Sequence, residues 1–520
     1  MSVFAQVVSA LKRSSFAACS LAVLLIGGCT DALAQDRLEQ LREFVVGPSV
    51  RQIANAVTEL DVERASELFT HVKTGGDDLA FQRARLAVYV GDCDSAEAIL
   101  STVPESTESV RLMLVARSCA RATAGSVVKQ DTERGVWVRF QDAGDVALMP
   151  LLVEVAANAR DTMVRDLGVQ LPLPLRIDLV RDLFSLAAVS GLPVEAAETT
   201  GTVAVARWGR VTMITPRAPT EGYSWQDTLA HEITHLALTR GSRDFAPLWL
   251  QEGVAKREEN RWRSPRPFDD ERPADPIARR ALLEGTSVGI DSIGPSIAML
   301  PTAEAASISY AEVQSFMDFW IRQNGSAAFT LLLADLKGLE TRDTNAVLAS
   351  VTGYPLKYWI ARWQSHLRSL PPPVERAAPS AHAGVNVAQN ARLGGLMFDR
   401  EHHARAAAYY DDAVSGAVKS PGLRYRAARA HQRAGDAVSA SDILKSFEDI
   451  GGLHGGWLGL HGHFSSAQGK PQEARQDFEL AISVDPFGSD AACGGLAEDE
   501  LPQDPTRRRL CQAARKVVRH

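Results

Sequence analysis

Apolar and polar residues alternate in four short segments near the middle of the chain, a pattern typical of half-buried β-strands. These segments are residues 136–140, 175–180, 202–206 and 211–215. The last two flank Arg207-Trp-Gly-Arg210 and predict a hairpin with Gly209 in its turn. Helical periodicity is found over residues 149–167, from about Ser224, over 248–262 and around 310–324. Residues 135–370 are therefore expected to form an α+β domain.

All-α regions of helical hairpins are expected on both sides of this domain. Residues 36–125 have helical periodicity and are repeat-like, and a Pro- and Ala-rich linker at 371–384 separates the domain from residues 385–490. These last residues repeat with a period of 34, as in the column Gly394, Ala428 and Gly462. The period, with small residues where helices cross, resembles the tetratricopeptide repeat and implies protein binding through a concave surface. Residues 491–520 are a C-terminal tail.

Composition and charge narrow the classes of function. The 520 residues are 45% hydrophobic and 23% charged, which is ordinary for soluble proteins and excludes wholesale disorder or a polytopic membrane protein. The net charge is −7, so the chain offers no basic field for a phosphate backbone. We expect no nucleic-acid partner.

The N-terminus has the pattern of an export signal over residues 1–34. Lys12 and Arg13 precede an uncharged stretch at 14–28, which is too short for a membrane anchor. Two processing sites remain open: a bacterial lipobox that ends at Cys29, which we favour, and cleavage after Ala34. Either site predicts export to the bacterial periplasm, with membrane contact only through a lipid anchor at Cys29.

Four cysteines lie beyond this signal, in two pairs that are close in sequence. Their spacing favours Cys93–Cys119 and Cys493–Cys511 disulfides, as an oxidising compartment allows. Buried free thiols are the alternative.

The strongest chemical motif is His231-Glu232-Ile-Thr-His235. Residues four apart lie on one helical face, so the two imidazoles can bind one ion, with Glu232 beside them as an acceptor for a water proton. A catalytic zinc needs a third protein ligand and one open position. Glu252, in the next predicted helix, is the candidate for that ligand.

Together with Trp249-Leu-Gln-Glu252-Gly, this motif resembles the gluzincin metallopeptidases. It is similar to the peptidase MA-like domains related to aminopeptidase N and the glycyl aminopeptidases. The resemblance implies one Zn²⁺ bound by His231, His235 and Glu252, with Glu232 as general base. It also implies an oxyanion-binding tyrosine on a later helix, for which Tyr310 is the candidate, although an ordinary core tyrosine is nearly as well supported.

Glu259 is a weaker candidate, seven residues after Glu252. It could orient His231 from behind. The neighbouring charges from Lys256 to Glu259 favour the other interpretation, in which Glu259 is a solvated surface charge.

The resemblance predicts a zinc-dependent peptidase of the cell envelope, with repeats that bind protein substrates or partners. One departure leaves exopeptidase specificity open, because the Gly-x-Met-x-Asn strand of aminopeptidase N-like enzymes is absent upstream of His231. The alternative function is a non-catalytic envelope scaffold, in which the tetratricopeptide-like repeats bind partners and the metal domain is vestigial.

Overall fold

The computed structural model is mostly helical and contains one small mixed sheet. It describes residues 49–72, 75–195, 198, 202–218, 223–264, 274–294, 296–297, 300–338, 343–371, 386–416, 420–445, 455–484, 486, 493, 501 and 503–514. The predicted export signal, including Cys29 and Ala34, and nearly all of the linker at 371–384 lie outside these residues. Among the described helices, none is both long and apolar enough to cross a bilayer.

The secondary structure follows the order helices, sheet domain, helices. The first region has α1 Val50–Thr58, α2 Val62–His71, α3 Gly76–Val90, α4 Cys93–Leu100 and α5 Thr107–Thr123. The middle region has β1 Val127–Asp131, β2 Val136–Phe140, α6 Met149–Leu167, β3 Leu175–Val180, α7 Leu183–Ser190, β4 Ala204–Arg207, β5 Arg210–Ile214, α8 Trp225–Ser242, α9 Leu248–Glu258, α10 Ala274–Glu284, α11 Ala303–Lys337, α12 Thr344–Thr352 and α13 Leu356–Ser369. The last region has α14 Val387–Asp399, α15 His403–Gly416, α16 Pro421–Arg433, α17 Ala437–Lys445, α18 Gly455–Ala467, α19 Pro471–Val484 and α20 Pro505–Ala514.

The five strands form one sheet in the order β1-β2-β3-β5-β4. The three inner strands are parallel, and each outer strand pairs antiparallel with its neighbour. β3 and β5 are buried along almost their whole length because helices cover the sheet. The α+β prediction is confirmed at this level.

Strand β4 lies at one edge of the sheet. It pairs with β5 through a tight turn in which Trp208 and Gly209 both have positive φ, as the sequence predicted for Gly209. Among the described residues, no strand pairs with its outer side. β4 is therefore an edge strand of the described sheet.

The N-terminal helices are fastened to the sheet by buried charges. Arg139 of β2 and Arg210 of β5 both donate to Asp178 of β3, at 2.8 and 2.6 Å. The same guanidinium groups also donate to the carbonyl oxygens of Gly91 and Val88, at the end of α3. Each buried charge thus has an opposite charge and hydrogen-bond partners, as burial requires.

Both predicted disulfides are confirmed. Cys93–Cys119 joins the start of α4 to the end of α5, and Cys493–Cys511 joins the tail to α20. The alternative of free thiols is therefore wrong for these four residues.

The C-terminal region consists of helix pairs with the predicted 34-residue period. Glu401, Gly435 and Gly469 lie 34 residues apart, each in the turn between paired helices, and each has positive φ. A Cβ atom added at Gly394 would lie 2.8 Å from the ring of Tyr410, so a small residue is needed where α14 and α15 cross. The last pair also contacts the sheet domain, because Trp225 Nε1 donates to the carbonyl oxygen of Val484 at 2.7 Å.

Candidate metal centre

Helix α8 carries the two histidines of the motif on one face. Twelve of its 18 residues are buried, and His231 and Glu232 are only 8% and 7% exposed. The spacing of four residues brings the two imidazoles together, with 3.2 Å between the Nε2 atoms of His231 and His235. Two ring nitrogens therefore point at one small volume.

A tight reversal brings the next helix back against α8. Arg243 and Asp244 have positive φ at the end of α8, and α9 begins after Pro247. Helix α9 then packs closely on α11 at Gly253, where an added Cβ would lie 2.6 Å from the carbonyl oxygen of Val313. Glycine is needed there, because any side chain would push α9 and the neighbouring Glu252 away from α11.

Three ligand-type atoms converge between α8 and α9. Glu252 Oε2 lies 3.5 Å from His231 Nε2 and 3.6 Å from His235 Nε2. Ligands held at about 2.1 Å by a tetrahedral ion are about 3.4 Å from one another, which these separations match. Among the described residues, no other set of three or more His, Cys, Asp or Glu side chains is so arranged.

Glu252 has an unsatisfied acceptor in this arrangement. Its Oε2 atom is buried and accepts no hydrogen bond from a described residue. A buried carboxylate oxygen without a donor costs free energy unless a cation or a proton occupies the position. The donor set of two imidazoles and one carboxylate fits Zn²⁺, so these residues can hold the implied metal.

Glu259 lies behind His231. The prediction that Glu259 is a solvated surface charge is therefore wrong. Its Oε2 atom is 3.4 Å from His231 Nδ1, and its side chain is 27% exposed. Lys256 Nζ lies 2.6 and 2.7 Å from its two oxygens and holds it in place. A carboxylate in this position fixes the ring orientation of a metal-binding histidine.

Gln251 plays the same part for the other ring. Its Oε1 atom lies 3.2 Å from His235 Nδ1, a contact that the sequence pattern does not predict. Its position next to Glu252 was the only available signal, because glutamine as a residue type does not indicate a metal site.

Glu232 and Tyr310 complete the surroundings of the three donors. The carboxylate of Glu232 has no hydrogen bond among the described residues, and its charge contributes to raising the pKa values of both His231 and His235. The ring of Tyr310, in α11, lies 6.4 Å from that of His231 between centroids. Tyr310 thus lies beside the site, and its ring also packs against the hydrophobic core.

The charges around the site shift several pKa values. Burial raises the pKa of Tyr310 well above its usual value, and the carboxylates of Glu252, Glu232 and Glu259 add to that effect. Burial alone would raise the pKa of Glu252, but the nearby side chains of His235 and His231 hold it well below its ordinary range when they are charged. Tyr310 therefore stays a proton donor and Glu252 stays an anion.

His231 lies between the carboxylates of Glu252 and Glu259 and holds its proton tightly when no ion is bound. Burial lowers the pKa of His231, but the nearby carboxylates of Glu252 and Glu259 outweigh burial and raise it to about 9. A group whose pKa is higher in the folded state stabilises the fold at low pH and loses that contribution as the pH rises.

The chelated protein should consequently become less stable between about pH 6.5 and pH 9. The loss is up to about 3 kcal/mol, because each unit of pKa difference corresponds to about 1.4 kcal/mol. Zinc affinity should rise over the same interval, since fewer protons compete for the imidazoles. Denaturant unfolding with chelator and with saturating zinc measures both trends, and a chelated protein of constant stability would contradict the assignment.

No protein-family model matches this chain, and no curated protein matches it. What the site can do chemically is therefore inferred from its own side chains.

Proposed function

We propose that the chain is a zinc-dependent peptidase of the gluzincin type, exported to the bacterial cell envelope. The observation that supports this most is the convergence of His231, His235 and Glu252 at 3.2 to 3.6 Å. The carboxylate of Glu232 is close enough to both histidines for its charge to contribute to raising their pKa values. Three protein donors leave a fourth tetrahedral position open, as a catalytic zinc site requires and a structural one does not.

The site residues divide the chemistry among them. A zinc ion bound here would supply a Lewis acid and lower the pKa of water toward neutrality. The carboxylate of Glu232 takes a proton from the attacking water and returns it to the amine that leaves. The hydroxyl of Tyr310 keeps its proton and can donate a hydrogen bond to the oxyanion of the scissile carbonyl.

The edge strand β4 offers a way to hold a peptide. Its first residue, Ala204, pairs with Met213 of β5, and the carbonyl oxygen of the following Ile214 accepts a hydrogen bond from Tyr223. Tyr223 lies two residues before α8 and close enough to Glu232 that the carboxylate contributes to raising its pKa, after burial. An extended peptide that adds to β4 would thus run toward the metal centre.

Metal-dependent cleavage tests this proposal. The purified protein should hydrolyse peptide bonds in an unfolded protein substrate such as casein, lose that activity in a chelator and regain it with one equivalent of zinc. Dialysed protein without zinc, compared by circular dichroism, is the control for loss of fold. Activity that persists after complete removal of metal would exclude the mechanism.

The alternative scaffold function rests on the helix pairs of residues 385–490. Their regular turns support a surface that binds protein partners or substrates. Variants tested in the cell distinguish the two functions. A scaffold should keep its cellular role with Glu232→Gln and lose it on deletion of residues 385–490, whereas a peptidase should lose its role with Glu232→Gln.

A further inference from the structure

A cavity of about 720 Å³ lies apart from the metal centre, between the N-terminal helices and the turn of the β4–β5 hairpin. Its volume is within the range of ligand-binding pockets, roughly 300–1,000 Å³. Two of its walls are α3 and α5, and a third is the hairpin turn with Trp208. We propose that this cavity binds an acidic peptide segment.

The charge of the cavity lining favours an acidic ligand. Arg85, Arg111 and Arg207 line the cavity, and none of them pairs with a carboxylate among the described residues. Among the described residues, Glu108 is the one acidic side chain that lines it. Because the chain as a whole carries a net charge of −7, a local excess of guanidinium groups is a selective feature and not part of a general basic surface.

Arginine is also suited to the proposed ligand. Its planar guanidinium binds carboxylates through two parallel hydrogen bonds. Two kinds of contact fix the guanidinium group of Arg207 at the cavity. Its Nη1 atom donates to the carbonyl oxygens of Ser190 and Gly191 at 3.3 Å. The guanidinium carbon lies 4.8 Å from the centroid of the Trp208 ring. Arg111 is exposed and has no hydrogen-bond partner among the described residues.

The remaining walls favour a peptide over a free small acid. Phe81, Val115 and Trp208 present apolar surface in the same cavity, and Leu114 is 59% exposed beside them. The wall at Trp208 is fixed by an edge-to-face contact with Tyr89, at 6.2 Å between centroids. A segment that alternates acidic and apolar side chains matches both features of this lining.

The cavity also adjoins the end of the edge strand β4. Arg207 is the last residue of β4, whose outer side carries no partner strand among the described residues. A bound peptide can therefore leave the cavity as an added strand along β4. The idea that such a strand leads to the metal centre rests on the proposed function. The existence of the cavity and its charge do not depend on that function.

Peptide binding to the full-length exported chain tests the inference, with Glu232→Gln as background so that the probe is not cleaved. The probe is a fluorescent ten-residue peptide that alternates Glu and Leu, and its match is the same peptide with Gln for Glu. The Glu peptide should bind roughly tenfold or more tightly than the Gln peptide, and added salt should weaken it.

Two charge reversals on the same helix separate a specific site from a general charge effect. Arg111→Glu should weaken binding of the Glu peptide roughly tenfold, since it replaces an attraction by a repulsion. Arg121→Glu changes the net charge equally at an exposed residue of α5 outside the cavity and should leave binding unchanged. Equal binding of the two peptides, equal effects of the two variants or no binding at all would overturn the proposal. Any of these results would leave metal-dependent peptide cleavage untouched.

Discussion

Replacing Glu232 by Gln should reduce kcat for peptide hydrolysis by about 10²- to 10⁴-fold and leave the zinc content at one ion per chain. The carboxylate stands beside the three donors without a hydrogen bond to a described residue, so its proposed task is to carry a proton. An amide of the same shape fills the space but cannot accept that proton. The substitution therefore separates proton transfer from metal binding.

The matched control is Glu154→Gln, at an exposed position of α6 away from the site. It makes the same chemical change and should leave kcat and zinc content as they are. Full activity in Glu232→Gln would remove the general base from the mechanism. Loss of zinc in that variant would show that Glu232 is a ligand and that the assignment of roles is wrong.

Replacing Glu252 by Gln should reduce zinc affinity by more than about a hundredfold. Loss of a residue that only orients a metal ligand costs about 10- to 100-fold, and removal of the sole anionic ligand should cost more. The amide retains the packing of α9 at Gly253, so the fold is expected to persist. Competition with a fluorescent zinc chelator measures the affinity directly.

Glu259→Gln provides the graded comparison for this prediction. Its carboxylate contacts His231 from behind, at 3.4 Å, so its loss should fall within the 10- to 100-fold range. The expected order of zinc affinity is wild type, then Glu259→Gln, then Glu252→Gln. A Glu252→Gln protein that binds zinc as tightly as the wild type would contradict the ligand set.

The convergence of His231, His235 and Glu252 could be predicted from the sequence because the information is local. Positions four apart on a helix share a face, which places His231 and His235 together whatever the surroundings. Prediction of Glu252 as the third donor required only that the next helix pack back against the first. The segment between His235 and Glu252 is short, so the two helices had to be neighbours. The left-handed residues Arg243 and Asp244 that make this return were not marked by their type.

Glu259 shows how the sequence interpretation went wrong. Charged residues near one another usually face solvent, so Lys256 and Glu259 suggested a surface pair. Seven residues are almost two full helical turns, however, so Glu259 shares the face of α9 that carries Glu252. Periodicity was therefore a better guide than composition at this position.

Other features depend on contacts between distant parts of the chain and carry no local pattern. Strand β1 has only Val127 and Asp131 partly buried and lacks an apolar face, so it was not predicted, and it exists because it pairs with β2. The cavity between α3, α5 and the hairpin turn likewise depends on how the N-terminal helices dock on the sheet. Sequence periodicity does not encode such docking.

The most direct test of the proposed metal centre is an anomalous diffraction measurement on crystals grown with zinc, recorded on both sides of the zinc absorption edge. We expect a single strong peak about 2.0–2.2 Å from the Nε2 atoms of His231 and His235 and from a carboxylate oxygen of Glu252. A zinc peak elsewhere with no density among these three side chains, at full zinc occupancy and neutral pH, would contradict it.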